Sequence, residues 1–487
     1  MLRADNGMIV KYRNIFLFMG CVGSEYAGYG GPDNIFVAAQ GCYVATPIVS
    51  VVRPSGKKIM SIADAVARVR EHYRNLLQSA EDEHEWAYAW RCELNNGGFR
   101  ANDFLMGEIV ETGKCIGCAS CVSICPTSVF DYDNELPVNA RPEACVQCVL
   151  CADVCPVLRP LDKDLPKFLG YRDNAKDEGF GPYSYILYTR ATDPEILAAG
   201  QDGGMVTALL LHHFETGRLK AAVVGDVLPD NNQIGTHKLA TTREDLLSCA
   251  ASRYTYSPNT LALQEAMEQG ATPLAVIGVP CQINGVRLQQ HSSIKSEMAN
   301  WYRKNIKLTI ALACSEAFTH ESLEKLGEML DIDSKRIDNI NIKGKVVVRL
   351  DDPHGEVLTI PLKKYREFAR PACLYCVDYS GETADIGVGG IGIDGWTCTW
   401  VRTDAGHEAL QAAIDDGWLE TRPIEDEPKG YTLMQKLSIG KRKNRPHPAL
   451  MPTYAEREAL GYLDPKTFYT KGPGAPQSVE QTNEPTA

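Results

Sequence analysis

Two runs of closely spaced cysteines carry the clearest chemical signal in this sequence. Residues 115–126 read CIGCASCVSICP and residues 145–156 read CVQCVLCADVCP, with nineteen residues between Cys125 and Cys145. Each run has the spacing C-x2-C-x2-C-x3-C-P, in which three thiolates of one run hold one iron-sulfur cluster and the fourth reaches the other cluster. Because such clusters exchange single electrons, the spacing predicts a protein that moves electrons one at a time.

The pattern is typical of bacterial ferredoxins with two 4Fe-4S clusters, and it divides the eight thiols into two sets. The first thiol set is Cys115, Cys118, Cys121 and Cys155, and the second thiol set is Cys145, Cys148, Cys151 and Cys125. Zinc knuckles or a disulfide scaffold are the alternatives. A zinc site takes four ligands in two C-x2-C pairs, however, and has no use for a third cysteine three residues on or for the proline after the fourth.

Four further cysteines stand in settings that could serve one more metal centre. Cys281 and Cys314 each follow a strand-like apolar run, in GVPCQ and ALACSE, and Cys373 and Cys376 form the pair in PACLYC. Ligands of α/β proteins bind beyond the carboxyl ends of the strands, so these thiols could converge there as a third thiol set. Isolated cysteines at strand ends are also often structural, and the spacing alone leaves both interpretations open.

Length and composition describe a large globular protein. The chain has 487 residues, enough for about three domains, with 44% hydrophobic and 23% charged residues. Its formal net charge of −12 argues against general nucleic-acid binding, which needs a basic face. The apolar run at 15–22 is too short to span a membrane, and no signal-peptide pattern begins the chain. With 17 cysteines, many in metal-ligand spacing, we expect a cytoplasmic protein.

The sequence pattern divides the chain into four segments. Residues 1–108 form an unrecognised N-terminal α/β region, and the cysteine-rich unit occupies 109–165, ending in a proline-rich linker. Over 166–470, apolar runs alternate with helical patterns, which predicts α/β organisation. The tail at 471–487 is rich in Pro, Gly, Ser and Gln, and we expect it to be disordered.

The N-terminal region offers few chemical signals. Short strands are predicted within 34–58 and an amphipathic helix over 61–87. Cys21, Cys42 and Cys92 lie far apart without a local partner, so we expect buried thiols rather than ligands. Docking to a partner subunit is one use for this region.

Two glycine-rich segments could approach a nucleotide cofactor. Gly200, Gly203 and Gly204 precede a helical pattern, where backbone N–H groups and the helix dipole favour a pyrophosphate. Five glycines lie within residues 387–395, a density that indicates backbone freedom or close approach to a large ligand. Ordinary loops are the alternative for both segments.

Six motifs together make the sequence similar to the family of the flavoprotein beta subunit of coenzyme F420-reducing hydrogenase. They occur in the family's order across about residues 180–425: QDGGMVTALL (201–210), SRYTYSPN (252–259), VIGVPCQINGVR (276–287), LACSEAF (312–318), CLYCVDYSGETADIGVGG (373–390) and DGWTCTWVRTDAG (394–406). The family includes the beta subunit of F420-dependent formate dehydrogenases, the input subunit of F420H2 dehydrogenase, the N-terminal half of F420-dependent sulfite reductase and 7-hydroxymethyl chlorophyll a reductase. A ferredoxin unit ahead of the flavin domain resembles its longer members.

The resemblance implies a fold, cofactors and site residues. It implies an α/β flavoprotein domain after a bacterial-type ferredoxin unit with two 4Fe-4S clusters. It also implies a third 4Fe-4S cluster beside FAD, held by Cys281, Cys314, Cys373 and Cys376. The residues it places at the FAD site are Gly200, Gly203, Gly204, Arg253, Tyr254, Ser257, Gly387, Gly389, Gly390 and Gly392.

Binding of coenzyme F420 would require local cations, because this coenzyme carries a phosphodiester and a glutamate tail while the protein is acidic. Lys363 and Lys364 in PLKKYREFARP are the candidates, with Arg366 and Arg370 close by. Charged runs of this kind are often solvated faces, which is the alternative here.

The function implied by the resemblance is that of an F420-dependent oxidoreductase subunit. It would exchange a hydride between coenzyme F420 and FAD and pass single electrons through three clusters to or from other subunits of a redox complex, such as a hydrogenase, a formate dehydrogenase or F420H2 dehydrogenase. Any membrane association would run through a partner. Two alternatives remain open: an electron-transfer subunit without a small-molecule site, and an iron-sulfur flavoprotein that reduces another substrate.

Overall fold

The structure is a computed structural model. It describes short strands between residues 2 and 60, and then residues 102–157 and 169–444 apart from brief gaps at 103–104, 112, 147, 149, 293–295, 353, 391 and 393. The predicted helix at 61–87, the cysteines at 21, 42 and 92, most of the proline-rich linker and the tail at 471–487 lie outside the described residues.

The N-terminal strands form a small antiparallel sheet and a strand pair. The sheet has the order β1-β2-β3-β4, and β5 pairs with β6. Their bounds are β1 Leu2–Ala4, β2 Gly7–Tyr12, β3 Ile15–Gly20, β4 Ile35–Val37, β5 Val51–Val52 and β6 Lys58–Met60. Strands β4 and β5 confirm the prediction of short strands within 34–58.

Two short helices and one hairpin build the cysteine-rich unit. Helices α1 (Ser120–Ser123) and α2 (Leu150–Asp153) each carry the third cysteine of one run. Strands β7 (Phe130–Asp133) and β8 (Leu136–Asn139) pair antiparallel between them. A short π-helical turn, Met106–Val110, precedes the unit.

An eight-stranded mixed sheet forms the centre of the remaining chain, in the order β11-β10-β12-β13-β17-β18-β9-β19. Its four middle strands from β10 to β17 are parallel, and the strands on either side run antiparallel to their neighbours. The bounds are β9 Tyr185–Ala191, β10 Ala221–Leu228, β11 Asn231–Ala240, β12 Leu274–Gly278, β13 Ile306–Leu312, β17 Ile386–Gly389, β18 Thr397–Val401 and β19 Leu419–Arg422. The predicted α/β organisation is thereby confirmed.

Helices cover both faces of this sheet, and a three-stranded antiparallel sheet lies beside it. The helices are α3 Pro194–Ala199, α4 Met205–Glu215, α5 Arg243–Ser248, α6 Ala262–Gln269, α7 Pro280–His291, α8 Glu297–Asn305, α9 Glu321–Leu330, α10 Leu362–Tyr365, α11 Asp404–Asp415 and α12 Pro428–Asn444. The smaller sheet has the order β14-β15-β16, with β14 Ile337–Ile342, β15 Lys345–Leu350 and β16 Val357–Pro361.

The middle strands are buried on both faces, and alternate side chains enter different cores. Val223 and Val276 belong to the core that contains the cysteine-rich unit and the apolar faces of α6 and α7. Val224 and Ile277 belong to the opposite core, with α4 and α11. The period of two along a strand sends neighbouring residues to opposite faces, which explains the continuous apolar runs in the sequence.

Polar contacts join the cysteine-rich unit to the sheet domain. Thr260 Oγ1 donates to the carbonyl oxygen of Cys118 at 2.6 Å, and Gln289 Nε2 donates to that of Ser120 at 3.1 Å. Gly285 of α7 lies so close to Ser120 that an added Cβ would collide with its hydroxyl. The unit is therefore packed directly on the sheet domain.

No helix among the described residues is long and apolar enough to cross a membrane.

Candidate redox site

The first thiol set forms around the loop that precedes α1. Gly117 and Ala119 have φ of +72° and 59°, and these left-handed conformations fold the loop around its thiols. The backbone N–H of Gly117 donates to Cys115 Sγ at 3.3 Å. Burial raises the pKa of Cys121 well above its usual value, and the thiols of the other three members of the set raise it further. The fourth cysteine of the second run therefore lies close to the first set, as the ferredoxin pattern predicts.

The second thiol set surrounds a cavity. The lining includes Cys125, Cys145, Cys148 and Cys151, which are the four members of the set. Burial raises the pKa of Cys151 well above its usual value, with the other three thiols adding to the rise. The crossed pairing of Cys125 with the second run thus matches the prediction from spacing. The neighbouring Val146 is 61% exposed, which puts this set nearer to the surface than the first.

The third thiol set lies at the carboxyl edge of the main sheet. Cys281 opens α7 after β12, and Cys314 follows the adjacent parallel strand β13. Cys373 and Cys376 come from a turn over Pro371–Tyr375 and the residue after it. Burial raises the pKa of Cys281 well above its usual value, and the thiols of all three other members act on it too. Segments that are distant in sequence thus bring their four thiols together.

The three sets suit clusters better than single ions. No group of three or more His, Cys, Asp or Glu side chains in the described part of the chain is close enough to hold one metal ion. A four-iron cluster is larger and holds its four thiolates further apart, one to each iron. Burial raises the pKa of Cys115 to about 11 and that of Cys314 to about 12, so these thiols keep their protons at neutral pH unless a metal replaces them.

The third set adjoins the first. Cys118 of the first set is among the thiols that raise the pKa of Cys281. Tyr256 stands at the junction, with its hydroxyl 3.6 Å from Cys281 Sγ. Arg370 lies over the ring of Tyr256, at 4.7 Å from the guanidinium carbon to the ring centroid. The three sets therefore form a series from the sheet edge through the first set to the surface near the second.

The segments predicted to line a flavin site meet beside the third set. Gln201 Nε2 contacts the Tyr254 hydroxyl at 3.5 Å, and the N–H of Ser252 donates to Gln201 Oε1 at 3.1 Å. The N–H of Ala313, next to Cys314, donates to the carbonyl oxygen of Val388 at 2.7 Å. The first glycine-rich segment, the SRYTYSPN segment and the second glycine-rich segment are thereby brought to one edge of the sheet.

The glycines of these segments face protein atoms at short distance. A Cβ on Gly390 would collide with the Asp202 carboxylate, and one on Gly203 would lie 2.7 Å from the carbonyl oxygen of Thr189. Gly387 and Gly389 lie against Ser380 and Ala313 in the same way, and Gly200 lies against Gly204. Gly204 and Gly392 have positive φ, of 66° and 82°. Close packing of the chain on itself is thus one sufficient reason for the glycines.

The predicted polar residues of the SRYTYSPN segment have protein partners as well. Tyr254 accepts from the N–H of Ile342 at 3.2 Å, and Ser257 Oγ donates to the carbonyl oxygen of Thr236. Arg253 Nη1 donates to the carbonyl oxygen of Ala250 at 3.4 Å, and burial lowers its pKa. Gln282, next to Cys281, donates to the carbonyl oxygen of Ser257 at 2.5 Å, which ties this segment to the third set.

The convergence also contains an acid that the sequence pattern did not single out. Burial raises the pKa of Asp202 to about 6, against the opposing effect of Lys343, whose Nζ is 3.8 Å from Asp202 Oδ1. That buried oxygen accepts no hydrogen bond from the described residues. Lys343 also pairs with Asp394 at 2.6 Å. An incompletely bonded carboxylate beside a cation, where three loops meet, fits a polar ligand.

The predicted cations for coenzyme F420 occupy different settings. Lys363 and Lys364 are exposed on α10. Arg366 pairs with Glu316 at 2.5 Å. Arg370 is turned away from the surface and is only 5% exposed, because its guanidinium lies against Tyr256 and donates to the carbonyl oxygen of Glu135 at 3.0 Å.

Sequence reasoning missed the charged and aromatic side chains that border the thiol sets, namely Tyr256, Arg370 and Lys441. Lys441 comes from α12, more than sixty residues after the last of these cysteines, and its Nζ donates to the carbonyl oxygens of Cys314 and Asp378, each at 2.8 Å. It lies in a basic run that resembles a solvated helix end. No local signal marks such a residue, because its placement depends on helix docking.

Family models match three parts of the chain. Two of them describe the beta subunit of "Coenzyme F420 hydrogenase/dehydrogenase": the model of its N-terminal part matches residues 186–264, and the model of its C-terminal part matches residues 272–427. A model described as "4Fe-4S dicluster domain" matches residues 114–158.

Similar proteins include components of several redox systems. The beta subunit of coenzyme F420 hydrogenase from Methanothermobacter thermautotrophicus is 35% identical over 268 residues, which cover 54% of this chain and 92% of that protein. The F-type subunit of F(420)H(2) dehydrogenase from Methanosarcina mazei is 29% identical, over 69% of this chain and 92% of that protein. A chain in the structure of the F420-reducing nickel-iron hydrogenase complex from Methanosarcina barkeri is 33% identical, with a TM-score of 0.51 over 55% of this chain and 91% of that chain.

Proposed function

This chain belongs to the family of beta subunits of coenzyme F420 hydrogenases and dehydrogenases, and from that premise we propose that it exchanges a hydride with coenzyme F420 and passes single electrons to or from a partner. The proposal includes three 4Fe-4S clusters, one for each thiol set. It also includes FAD, which when bound supplies the conversion between two-electron and one-electron chemistry. We retain as part of the proposal the division into residues 109–165 and 166–470.

The observation that carries the proposal is the series of three adjoining thiol sets, which begins where the predicted flavin segments converge. Tyr256 is in contact range of Cys281, and Cys118 is close enough to act on the same thiol. The chain's residues hold the clusters, orient the bound rings and exclude water from the site. The more exposed second set is the proposed exit to another protein of the complex.

The proposed contacts of FAD are the two glycine-rich segments together with Arg253, Tyr254 and Ser257. Lys363 and Lys364 are the proposed cations for the anionic tail of coenzyme F420. Lys343 is a further candidate, because it reaches the edge where the segments converge. These assignments rest on family membership and on the placement of the segments.

Steady-state turnover tests the proposal. Purified protein, loaded anaerobically with iron and FAD, should oxidise reduced coenzyme F420 with a viologen as the electron acceptor. A Lys363→Gln, Lys364→Gln variant should raise KM for reduced F420 with little change in kcat, because it removes uniform binding. Lys307→Gln is the matched control, since Lys307 is an exposed lysine at the opposite end of β13.

Each alternative function has its own outcome in this assay. Absence of turnover at full FAD and iron occupancy would favour an enzyme that acts on another substrate. Electron transfer between protein partners without any response to reduced F420 would favour an electron carrier that lacks a small-molecule site.

A further inference from the structure

Two buried cations lie beside the thiol sets, and they approach different sets. Arg370 is 5% exposed and Lys441 is 6% exposed. A buried charge is costly unless neighbouring groups compensate it. Both residues donate to backbone carbonyl oxygens near the thiols, so their charges are held in fixed positions.

Arg370 is held against the loop of the first set. A Cβ added to Gly117, which lies between Cys115 and Cys118, would come within 2.5 Å of Arg370 Nη2 and 2.7 Å of Cζ. Burial raises the pKa of Cys115 to about 11, and Arg370 is the largest influence in the opposite direction. Arg370 also acts on Cys118, and more weakly on Cys373 of the third set.

Lys441 is held against the third set. Its Nζ donates to the carbonyl oxygen of Cys314 at 2.8 Å and to that of Asp378 at 2.8 Å. Burial raises the pKa of Cys314 to about 12, and Lys441 is the largest opposing influence. For Cys373, Lys441 ranks ahead of Arg370. The two cations therefore divide between the two sets, each with one dominant neighbour.

A 4Fe-4S cluster with four thiolate ligands is an anion, and reduction adds one more negative charge. A nearby fixed cation stabilises the reduced form and raises the reduction potential, most strongly where water is excluded. We propose that Arg370 and Lys441 set the difference in reduction potential between the first-set and third-set clusters, Arg370 by raising the first and Lys441 by raising the third. This inference rests on the proposed function, because it requires clusters at both sets.

The two charges act in opposite directions on electron transfer between the clusters. Arg370 favours an electron on the first-set cluster, and Lys441 favours it on the third-set cluster. Glu135 adds a third handle, because its Oε1 lies 3.5 Å from Arg370 Nη1 and its charge partly offsets that of the guanidinium. Removing the carboxylate should therefore act opposite to removing the cation.

The test is a potentiometric titration of the iron-loaded full chain, followed by electron paramagnetic resonance. The variants are Arg370→Gln, Lys441→Gln and Glu135→Gln, with Arg370→Lys as the charge-conserving control. A Cys373→Ser, Cys376→Ser variant identifies the third-set signals by their loss, and the first set is assigned likewise with Cys118→Ser. Iron and FAD contents are measured for every sample.

The proposal predicts a pattern of shifts. Arg370→Gln should lower the first-set potential more than the third-set potential, and Arg370→Lys should restore most of it. Lys441→Gln should lower the third-set potential and leave the second-set potential unchanged. Glu135→Gln should shift the first-set potential upward. Unchanged potentials in both glutamine variants, or equal shifts of both clusters by each, would overturn the proposal.

Two controls keep the inference separable from the proposed function. Wild-type protein without third-set signals would contradict the three-cluster proposal, while the Arg370 and Glu135 variants would still test the first-set assignment. If Arg370→Gln fails to fold, Glu135→Gln tests the sign of the same charge. A first-set potential that does not rise in Glu135→Gln would then count against the role of Arg370.

Discussion

The thiol sets and the glycine-rich segments meet at the same edge of the main sheet, yet they close around different things. The second thiol set lines a cavity, with its four sulfur atoms around one space. Gly390 and Gly203 instead face the atoms of Asp202 and Thr189, so their missing side chains make room for the chain itself. The thiols create a space for a ligand, whereas the glycines allow the loops beside it to approach one another.

This difference teaches that a residue type can serve a site without touching the ligand. A cysteine set has a structural use only when its thiols converge. A glycine satisfies either a nearby ligand or a nearby loop, and the two needs leave the same mark in sequence. The following predictions separate these roles.

The largest expected effect is the loss of a whole cluster. Wild-type protein should contain about twelve irons per chain and a Cys373→Ser, Cys376→Ser variant about eight, because each 4Fe-4S cluster needs its own thiolates. Anaerobic iron analysis measures this. Cys249→Ser is the control, since Cys249 is half-buried at the end of α5 and belongs to no set. Equal iron in the double variant and the wild type would remove the third set from the account.

The second prediction concerns the outer end of the series. Cys148→Ala should reduce delivery of electrons to a partner by about tenfold or more, because it disrupts the second-set cluster while leaving the converging segments intact. Reduced coenzyme F420 should still bleach the flavin in a single turnover. The variant must retain FAD and its remaining clusters. Undiminished delivery to the partner would place the second set off the electron path.

The third prediction distinguishes the two uses of glycine. Gly390→Val and Gly204→Val should each weaken FAD binding by about tenfold or more and keep the ferredoxin clusters. For Gly390 the obstacle is the Asp202 carboxylate, so the pair Gly390→Ala and Asp202→Ala should restore the local packing. Fluorescence of released FAD measures the affinity.

The double variant decides what Gly390 does. Recovered FAD binding would show that this glycine serves loop packing, and persistent loss would show that the ligand itself, or Asp202, needs the space. Stoichiometric FAD in both valine variants would contradict the placement of the site.

The smallest expected effect is a pH-dependent change in stability at Asp202. Its folded-state pKa is raised to about 6, so the folded protein binds the extra proton, and stability falls as pH rises from about 4 through about 6. Asp202→Asn lacks this loss. Its melting temperature should therefore exceed that of the wild type at pH 8 by about 2 °C, and by less at pH 5. A difference independent of pH would contradict the raised pKa.

Prediction from sequence worked where ligand geometry is encoded by local spacing. The assignment of Cys125 and Cys155 to the opposite runs follows from the motif, and the structure places both thiols accordingly. The strands before Cys281 and Cys314 were also predictable, because runs buried on both faces are continuously apolar. The strand order that makes them neighbours was not, since it depends on pairing between distant segments.

The polar surroundings of the thiol sets were beyond sequence reasoning for a different reason. Arg370 and Lys441 look like members of solvated basic runs. The stacking of Arg370 on Tyr256 and the docking of α12 beside Cys314 bury them, and both are tertiary events. Asp202 likewise gains its raised pKa only from burial where the loops meet.

One rapid-mixing experiment tests the central claim that hydride chemistry and the thiol sets form a single path. Protein with full FAD and about twelve irons is mixed anaerobically with one equivalent of reduced coenzyme F420. Flavin and F420 absorbance are then recorded, and samples are frozen for electron paramagnetic resonance. The account predicts that F420 is oxidised while the flavin bleaches, and that signals of reduced clusters follow in the same sample. Fully loaded protein that leaves reduced F420 unchanged, or that bleaches its flavin without ever reducing a cluster, would contradict it.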